Sequence, residues 1–134
     1  IDVMEKAAGS IDAILENLKI GDPLTRADEI AHAYIEKVGL KDKAWWIGGY
    51  PMGISFPPDW TGAYWNHWEE ETFGPTAEKI TVQPGLVFNY ENQFDVWDGW
   101  PGGTGCNFIE TIIVTEDGPE LLSRLPRTIV PNGG

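Results

Sequence analysis

The chain has one cysteine, no long apolar run and few basic residues, and each shortage excludes a class of protein. Cys106 has no second cysteine to pair with, which excludes a disulfide-stabilised scaffold and fits a reducing compartment. No apolar stretch reaches the roughly 20 residues of a membrane-spanning helix, and the first residues lack the basic and apolar regions of a signal peptide. The sequence therefore predicts a cytoplasmic protein that makes no contact with a membrane.

The charge of the chain is strongly acidic. Its 21 Asp and Glu residues against 9 Lys and Arg give a net charge of −12 and an isoelectric point near 4.3. Such a surface repels nucleic acid, and no basic stripe offsets it, so we expect no nucleic-acid partner. The 134 residues suffice for one domain. Because the sequence opens on Ile1 instead of Met, we interpret it as an incomplete or processed chain.

Two amphipathic helices are predicted in the first third of the chain. Apolar residues recur at helical spacing from Asp2 to Lys19, and Gly21 with the following Asp-Pro ends that pattern. A second helix is predicted to begin after Thr25 as its N-cap and to end at Gly39 as its C-cap. Each helix has one apolar face, so both must pack on another layer.

Strands are predicted in the second half. Alternating apolar and polar residues predict strands over 86–97 and 106–115, and residues 119–124 read as a short terminal helix. Trp45 to Phe73 is rich in aromatic residues, glycine and proline and has no clean period. We therefore predict one α+β domain with a helical pair over 1–40, a loop region rich in aromatics, glycine and proline over 41–78, and an antiparallel sheet with the short terminal helix over 79–130.

Glu110 stands directly before a β-branched run, which predicts an acid on a strand inside the core. A buried carboxylate without a partner is costly, so it is usually protonated, paired or bound to a cation. Glu110 is therefore either a catalytic or metal-binding acid or a structural one, paired with Arg124, Arg127 or a lysine, or protonated beside Glu91. Glu91 lies on the alternating strand and can equally face solvent.

Aromatic and histidine side chains supply the other candidates. Tyr50, Trp60 and Trp97 are candidates for a pocket that binds a small cationic or proline-like ligand through cation–π contact. The alternative is that the tryptophans form core or an interface. His67 is either a general base or an exposed loop residue, and we interpret His32, on the second helix, as structural.

Four segments carry a resemblance to a known family. They are Gly48-Gly-Tyr-Pro-Met-Gly-Ile-Ser-Phe-Pro-Pro-Asp-Trp60, Gln83-Pro-Gly-Leu-Val-Phe-Asn-Tyr-Glu91, Ile109-Glu-Thr-Ile-Ile-Val-Thr-Glu-Asp-Gly118 and Leu125-Pro-Arg127. In this order and spacing they resemble the C-terminal half of the pita-bread superfamily of creatinase, aminopeptidase P, prolidase and methionine aminopeptidase. The closest likeness is to its Xaa-Pro-peptidase-like and ectoine-hydrolase-like branches. The resemblance implies half of a pita-bread fold, with two N-terminal helices packed on a curved antiparallel sheet.

In active relatives, the resemblance implies two divalent cations held by two Asp, one His and two Glu. Glu91 matches the first of these Glu and Glu110 the second, whereas Tyr50 stands where the His is expected. The two Asp belong to a hairpin upstream of the first helix, which this sequence does not contain. Two Glu alone supply too few ligands and too little charge for two dications. We therefore expect a partial or vestigial metal site and no cofactor from this chain alone, with Mn, Co or Zn bound only if other ligands complete it.

Three functions remain open. The favoured one is a non-catalytic or small-molecule-binding half-domain that has lost its dinuclear metal site, in which a second copy covers the sheet edge and apolar face left by the missing half. The alternative is a metal-dependent Xaa-Pro peptidase or C–N hydrolase whose missing Asp ligands lie upstream or on a partner chain, with Tyr50 orienting the substrate or stabilising an oxyanion. The third is a metal-free, creatinase-like amidinohydrolase that uses His67 as its base.

Overall fold

Two helices pack on one face of an antiparallel sheet in the computed structural model, which describes residues 2–52, 65–67, 71–73, 79–95 and 105–128. The elements in chain order are α1 (Asp2–Asn17), α2 (Arg26–Lys37), a 3₁₀ turn (Lys41–Lys43), β1 (Ala44–Pro51), β2 (Trp65–His67), β3 (Glu71–Phe73), β4 (Val87–Asp95), β5 (Gly105–Thr115) and β6 (Gly118–Leu121). The strands lie in the order β3-β2-β1-β4-β5-β6, and all paired neighbours are antiparallel. The predicted α+β class, with two N-terminal helices on an antiparallel sheet, is confirmed.

The helices follow the apolar periodicity of the sequence. Ile11 and Ile14 of α1 and Ile35 of α2 are buried in the core between the two layers. Helix α2 ends where the sequence predicts, because Gly39 takes the left-handed conformation (φ 75°) and its amide donates to the Glu36 carbonyl. Among the described residues, neither helix has the length and apolar character that a membrane crossing requires.

The prediction of a loop region over 41–78 was wrong for its first part, because Ala44–Pro51 forms strand β1 next to the middle of the sheet. This strand pairs with β2 on one side and β4 on the other, and its residues from Ile47 to Gly49 are buried. No clearly polar residue alternates with the apolar ones in this strand, and its two glycines lower its strand propensity. The register also shifts between Ala44 and Trp46, which is a β-bulge that breaks the period further.

The short terminal helix predicted over 119–124 was also wrong, since Gly118–Leu121 forms strand β6. The chain reverses at Glu116 and Asp117, and Gly118 has a positive φ of 122° that favours glycine. Thr115 stabilises this turn, because its hydroxyl donates to the Gly118 carbonyl and accepts from the Asp117 amide. Pro119 then lies in a strand at the edge of the sheet, where its missing amide proton is tolerated.

Strand β4 divides the sheet into a core face and a face that we call the free face, which points away from the helices. Phe88, Tyr90, Asn92 and Phe94 are buried on the core face. Their neighbours along the strand are only partly buried and alternate onto the free face. Among the described residues, α1 and α2 cover the core face, whereas the free-face side chains of β4 stay partly accessible.

Buried polar contacts tie both helices to β4. The Tyr90 hydroxyl donates to Asp28 Oδ1 of α2 at 3.1 Å, and Asp28 is 1% exposed. Asn92 Nδ2 donates to Ser10 Oγ of α1 at 2.7 Å. His32 Nδ1 lies 3.4 Å from Asp28 Oδ2, which agrees with a structural role for this histidine. Burial and the nearby Asp28 carboxylate raise the pKa of Tyr90 well above its ordinary value.

Tyr90→Phe should destabilise the fold, because it leaves the buried Asp28 carboxylate without the Tyr90 donor. We expect the free energy of unfolding to fall by about 1–3 kcal/mol. Tyr34→Phe, which removes the hydroxyl of a partly buried tyrosine on α2, is the control and should change stability by less than about 0.5 kcal/mol. Urea unfolding measures both variants, and equal stability of Tyr90→Phe and the wild type would contradict the account.

The same contact predicts a pH dependence. In the unfolded chain Tyr90 ionises near its ordinary pKa of about 10, whereas in the fold its raised pKa keeps it neutral at that pH. The stability difference between wild type and Tyr90→Phe should therefore shrink as the pH rises above about 10.

Candidate functional site

Side chains of β1, β4 and β5 form a grid on the free face, because residues paired across an antiparallel ladder point to the same side. The register gives three rows, which are Tyr50–Asn89–Thr111, Gly48–Glu91–Ile109 and Trp46–Gln93–Asn107. Glu91 lies at the centre of this grid and is its one carboxylate. Gly48 lies beside it on β1, and Ile109, 45% exposed, lies beside it on β5.

A chain of hydrogen bonds runs through the grid and ends on Glu91. Thr111 Oγ1 donates to Asn89 Oδ1 at 2.6 Å, and Asn89 Nδ2 donates to the Tyr50 hydroxyl oxygen at 3.2 Å. The Tyr50 hydroxyl donates to Glu91 Oε1 at 2.8 Å. Gln93 Nε2 donates to the other carboxylate oxygen, Glu91 Oε2, at 3.2 Å. We call these five residues the Glu91 network.

The hydrogen bonds of the Glu91 network end with two donors that point at the Glu91 carboxylate. Each carboxylate oxygen accepts about two hydrogen bonds, and each oxygen of Glu91 receives one from this network. The remaining capacity at the centre of the grid is therefore for a hydrogen-bond donor or a cation. An anion would be repelled by the charge of Glu91, because the grid contains no cationic side chain to offset that charge.

Tyr50 acts in this network as a neutral donor. Partial burial raises the pKa of Tyr50, the hydrogen bond from Asn89 lowers it, and the bond to Glu91 raises it again. The phenol therefore stays protonated at neutral pH. A protonated phenol is a poor metal ligand.

Glu110 lies on the other face of the sheet. It pairs with Tyr90, whereas Glu91 pairs with Ile109, so the two carboxylates alternate to opposite sides of adjacent strands. Glu110 is partly buried on the side of Ile112, which belongs to the core. The structure therefore does not bring Glu91 and Glu110 together, and the residue that faces the same way as Glu91 on β5 is Ile109.

The other sequence candidates are distributed as follows. Arg127, one suggested partner of Glu110, forms an ion pair with Asp12 of α1. His67 lies in β2, where its backbone pairs with Glu71. Trp60 and Trp97 lie outside the described residues. Within the described ranges, no three His, Cys, Asp or Glu side chains are grouped so that they could hold a metal ion.

Sequence reasoning missed Asn89, Gln93 and Thr111 as members of the site. A signal for the first two was present, since Asn89, Glu91 and Gln93 are polar at every second position of one strand. Thr111 carried no such signal. Its place beside Asn89 depends on the pairing register of β4 and β5, which the sequence does not specify locally.

The chain was compared with known proteins by sequence and by structure. No family model matches the chain. Ectoine hydrolase of Halomonas elongata is 32% identical over 124 residues, which cover 89% of this chain and 27% of that protein. The prolidase of Pyrococcus horikoshii has a similar structure, with a TM-score of 0.67, 18% identity and coverage of 96% of this chain and 33% of that one. An Xaa-Pro dipeptidase of Bacillus anthracis gives a TM-score of 0.63, 18% identity and coverage of 96% and 32%.

The chain spans about a third or less of the length of each of these proteins. The structural similarity at such low identity shows the fold, and the similarity to ectoine hydrolase extends to the sequence. Both agree with the resemblance that the four sequence segments carry. The chain thus has the fold of half of a pita-bread domain, which it shares with the prolidases, and its sequence is similar to that of ectoine hydrolase.

Proposed function

We propose that this half-domain has lost the dinuclear metal site and binds a small organic cation on its free face. The observation that carries the proposal is the direction of the Glu91 network, in which Tyr50 and Gln93 both donate to the carboxylate. A carboxylate fixed in this way needs no further donor from the protein and retains acceptor capacity on each oxygen. A ligand with N–H donors and a positive charge matches that capacity.

The neighbours of Glu91 favour an organic cation over a metal ion. Two dications need several anionic ligands around a shared water, and the grid offers Glu91 alone. Ile109, in the position where a second carboxylate would face Glu91, offers no lone pair but can contact the carbon atoms of a ligand. Trp46 and Tyr50 lie two residues to either side of Gly48, where aromatic faces can attract a cation.

Ectoine is a suitable first probe, because the relative is named for its hydrolysis and the molecule contains a delocalised amidinium group. In ectoine the two amidinium N–H groups diverge on either side of the ring methyl, so one of them can donate a charge-assisted hydrogen bond to a carboxylate oxygen. Acetamidinium is the minimal version of the same group, and it also presents two parallel N–H donors, which match the two oxygens of one carboxylate. Together the two probes separate recognition of the cation from recognition of the rest of ectoine.

Glu91→Gln should abolish most of the binding. Removing the charge of a carboxylate that holds a cation costs about 1.5–3 kcal/mol, so we expect the affinity for ectoine and acetamidinium to fall by about tenfold or more. Glu110→Gln is the matched control, because it makes the same change on the other face of the sheet and should leave the affinity unchanged. Calorimetric titration measures both variants. Equal affinity of Glu91→Gln and wild type, or a loss confined to Glu110→Gln, would refute the proposed site.

A metal-dependent Xaa-Pro peptidase or C–N hydrolase is the second candidate. The observation that favours it is the 32% identity to a hydrolase. The chain spans only 27% of the length of that hydrolase, so further ligands could come from an upstream segment or a partner chain. Measurement of metal content after dialysis against Mn, Co or Zn separates the two candidates. Our proposal predicts far less than one ion per chain. A stoichiometric ion that is lost in Glu91→Gln would favour the hydrolase.

We further propose that the chain forms a homodimer in which a second copy takes the place of the missing half. Large apolar side chains are exposed around the β5 and β6 end of the sheet, namely Ile109, Leu122 and Leu125. Leu122 is joined to β5, since its amide donates to the Thr111 carbonyl. An apolar patch next to an open polar face suits a symmetric contact that would enclose two Glu91 side chains in one cleft.

Leu122→Glu should convert the dimer to a monomer, because it places a charge in the apolar contact. Ile20→Glu is the control, since Ile20 is also exposed but follows α1 in the helical layer. Sedimentation at micromolar concentration should give a dimer for the wild type and Ile20→Glu and a monomer for Leu122→Glu. A monomeric wild type would rule out the dimer.

A further inference from the structure

We infer that Asn89 and Thr111 are positioning residues that hold the Tyr50 hydroxyl on Glu91 and so keep the carboxylate in the orientation that receives a cation. The inference rests on the proposed function and adds to it, because neither residue touches the carboxylate. Thr111 acts from β5 through Asn89 on β4, and Asn89 acts through Tyr50 on β1. Three strands thus contribute to the position of one side chain.

The direction of every bond follows from the chemistry at the end of the chain. An ionised carboxylate can only accept, so the one hydroxyl proton of Tyr50 must point to Glu91. The Tyr50 oxygen can then only accept from Asn89, which turns the amide NH₂ toward Tyr50 and the amide oxygen toward Thr111. Thr111 must therefore donate to Asn89 Oδ1, as its 2.6 Å contact shows.

The same logic shows what Thr111 prevents. If Asn89 Oδ1 had no donor, the amide could rotate and offer that oxygen to the Tyr50 hydroxyl. Tyr50 would then have two competing acceptors for one proton, and Glu91 would lose the bond that fixes Oε1. The Thr111 hydroxyl occupies Asn89 Oδ1 and removes this competition. Thr111→Val removes the hydroxyl and keeps the branched shape of the side chain.

Thr111→Val should weaken acetamidinium binding, because Glu91 loses part of its fixed orientation. Ordering one flexible side chain on binding corresponds to an affinity loss of about threefold. Thr115→Val is the matched control on the same strand, since its hydroxyl serves the β5–β6 turn and not the site. We expect no change in affinity for that variant.

A double-mutant cycle separates positioning from a general structural effect. If Thr111 acts only through Tyr50, Thr111→Val should cost about threefold in the wild-type background and nothing in the Tyr50→Phe background. A loss of equal size in both backgrounds would overturn the inference. So would an unchanged affinity of Thr111→Val in the wild-type background.

The NMR signal of the Tyr50 ring supplies a readout that needs no ligand. The hydrogen bond from Asn89 lowers the pKa of Tyr50, so its loss in Thr111→Val should move the ring titration to higher pH. Thr115→Val should leave that titration in place. If the wild type binds neither probe, the proposed function fails, and the ring titration alone decides the inference: a shift with Thr111→Val supports it, and no shift refutes it.

Discussion

Strand β4 alternates between the sealed core face and the free face, and the rest of the molecule depends on this alternation. Phe88, Tyr90 and Phe94 are almost completely buried under the helices. Burial of each such side chain contributes about 1.5–3 kcal/mol, so a slip of one residue would expose all three and place Glu91 in the core. The energy that fixes the register of the core therefore also fixes which polar residues reach the free face.

Because side chains alternate along a strand, a shift of one residue changes which chemical group reaches the free face. On β5, Ile109 and not Glu110 faces the same way as Glu91. Glu91 is therefore the one carboxylate within the hydrogen-bonded grid, and an aliphatic side chain borders it. This combination suits the head and body of an organic cation better than a pair of metal ions.

The sequence contained enough information for the helices, the fold class and the family resemblance. Apolar periodicity of period 3.6 located both helices, and Gly39 marked the end of α2. Strand β1 escaped prediction because it lacks polar alternation and is bulged, and β6 escaped because the turn at Gly118 leads into a strand that contains a proline. The sequence did not show that Glu91 and Glu110 lie on opposite faces of the sheet, because the face of each residue depends on long-range register and not on nearby sequence.

NMR spectra recorded while acetamidinium is added to the wild-type protein give the sharpest test of a cation site at Glu91. The side-chain amides of Asn89 and Gln93 lie beside Glu91 on the free face, whereas the amide of Asn92 is buried on the core face of the same strand. If the cation binds at Glu91, the Asn89 and Gln93 side-chain signals should shift saturably and the Asn92 signal should not shift. Saturable binding that leaves Asn89 and Gln93 unmoved, or that shifts residues around Glu110 instead, would contradict it.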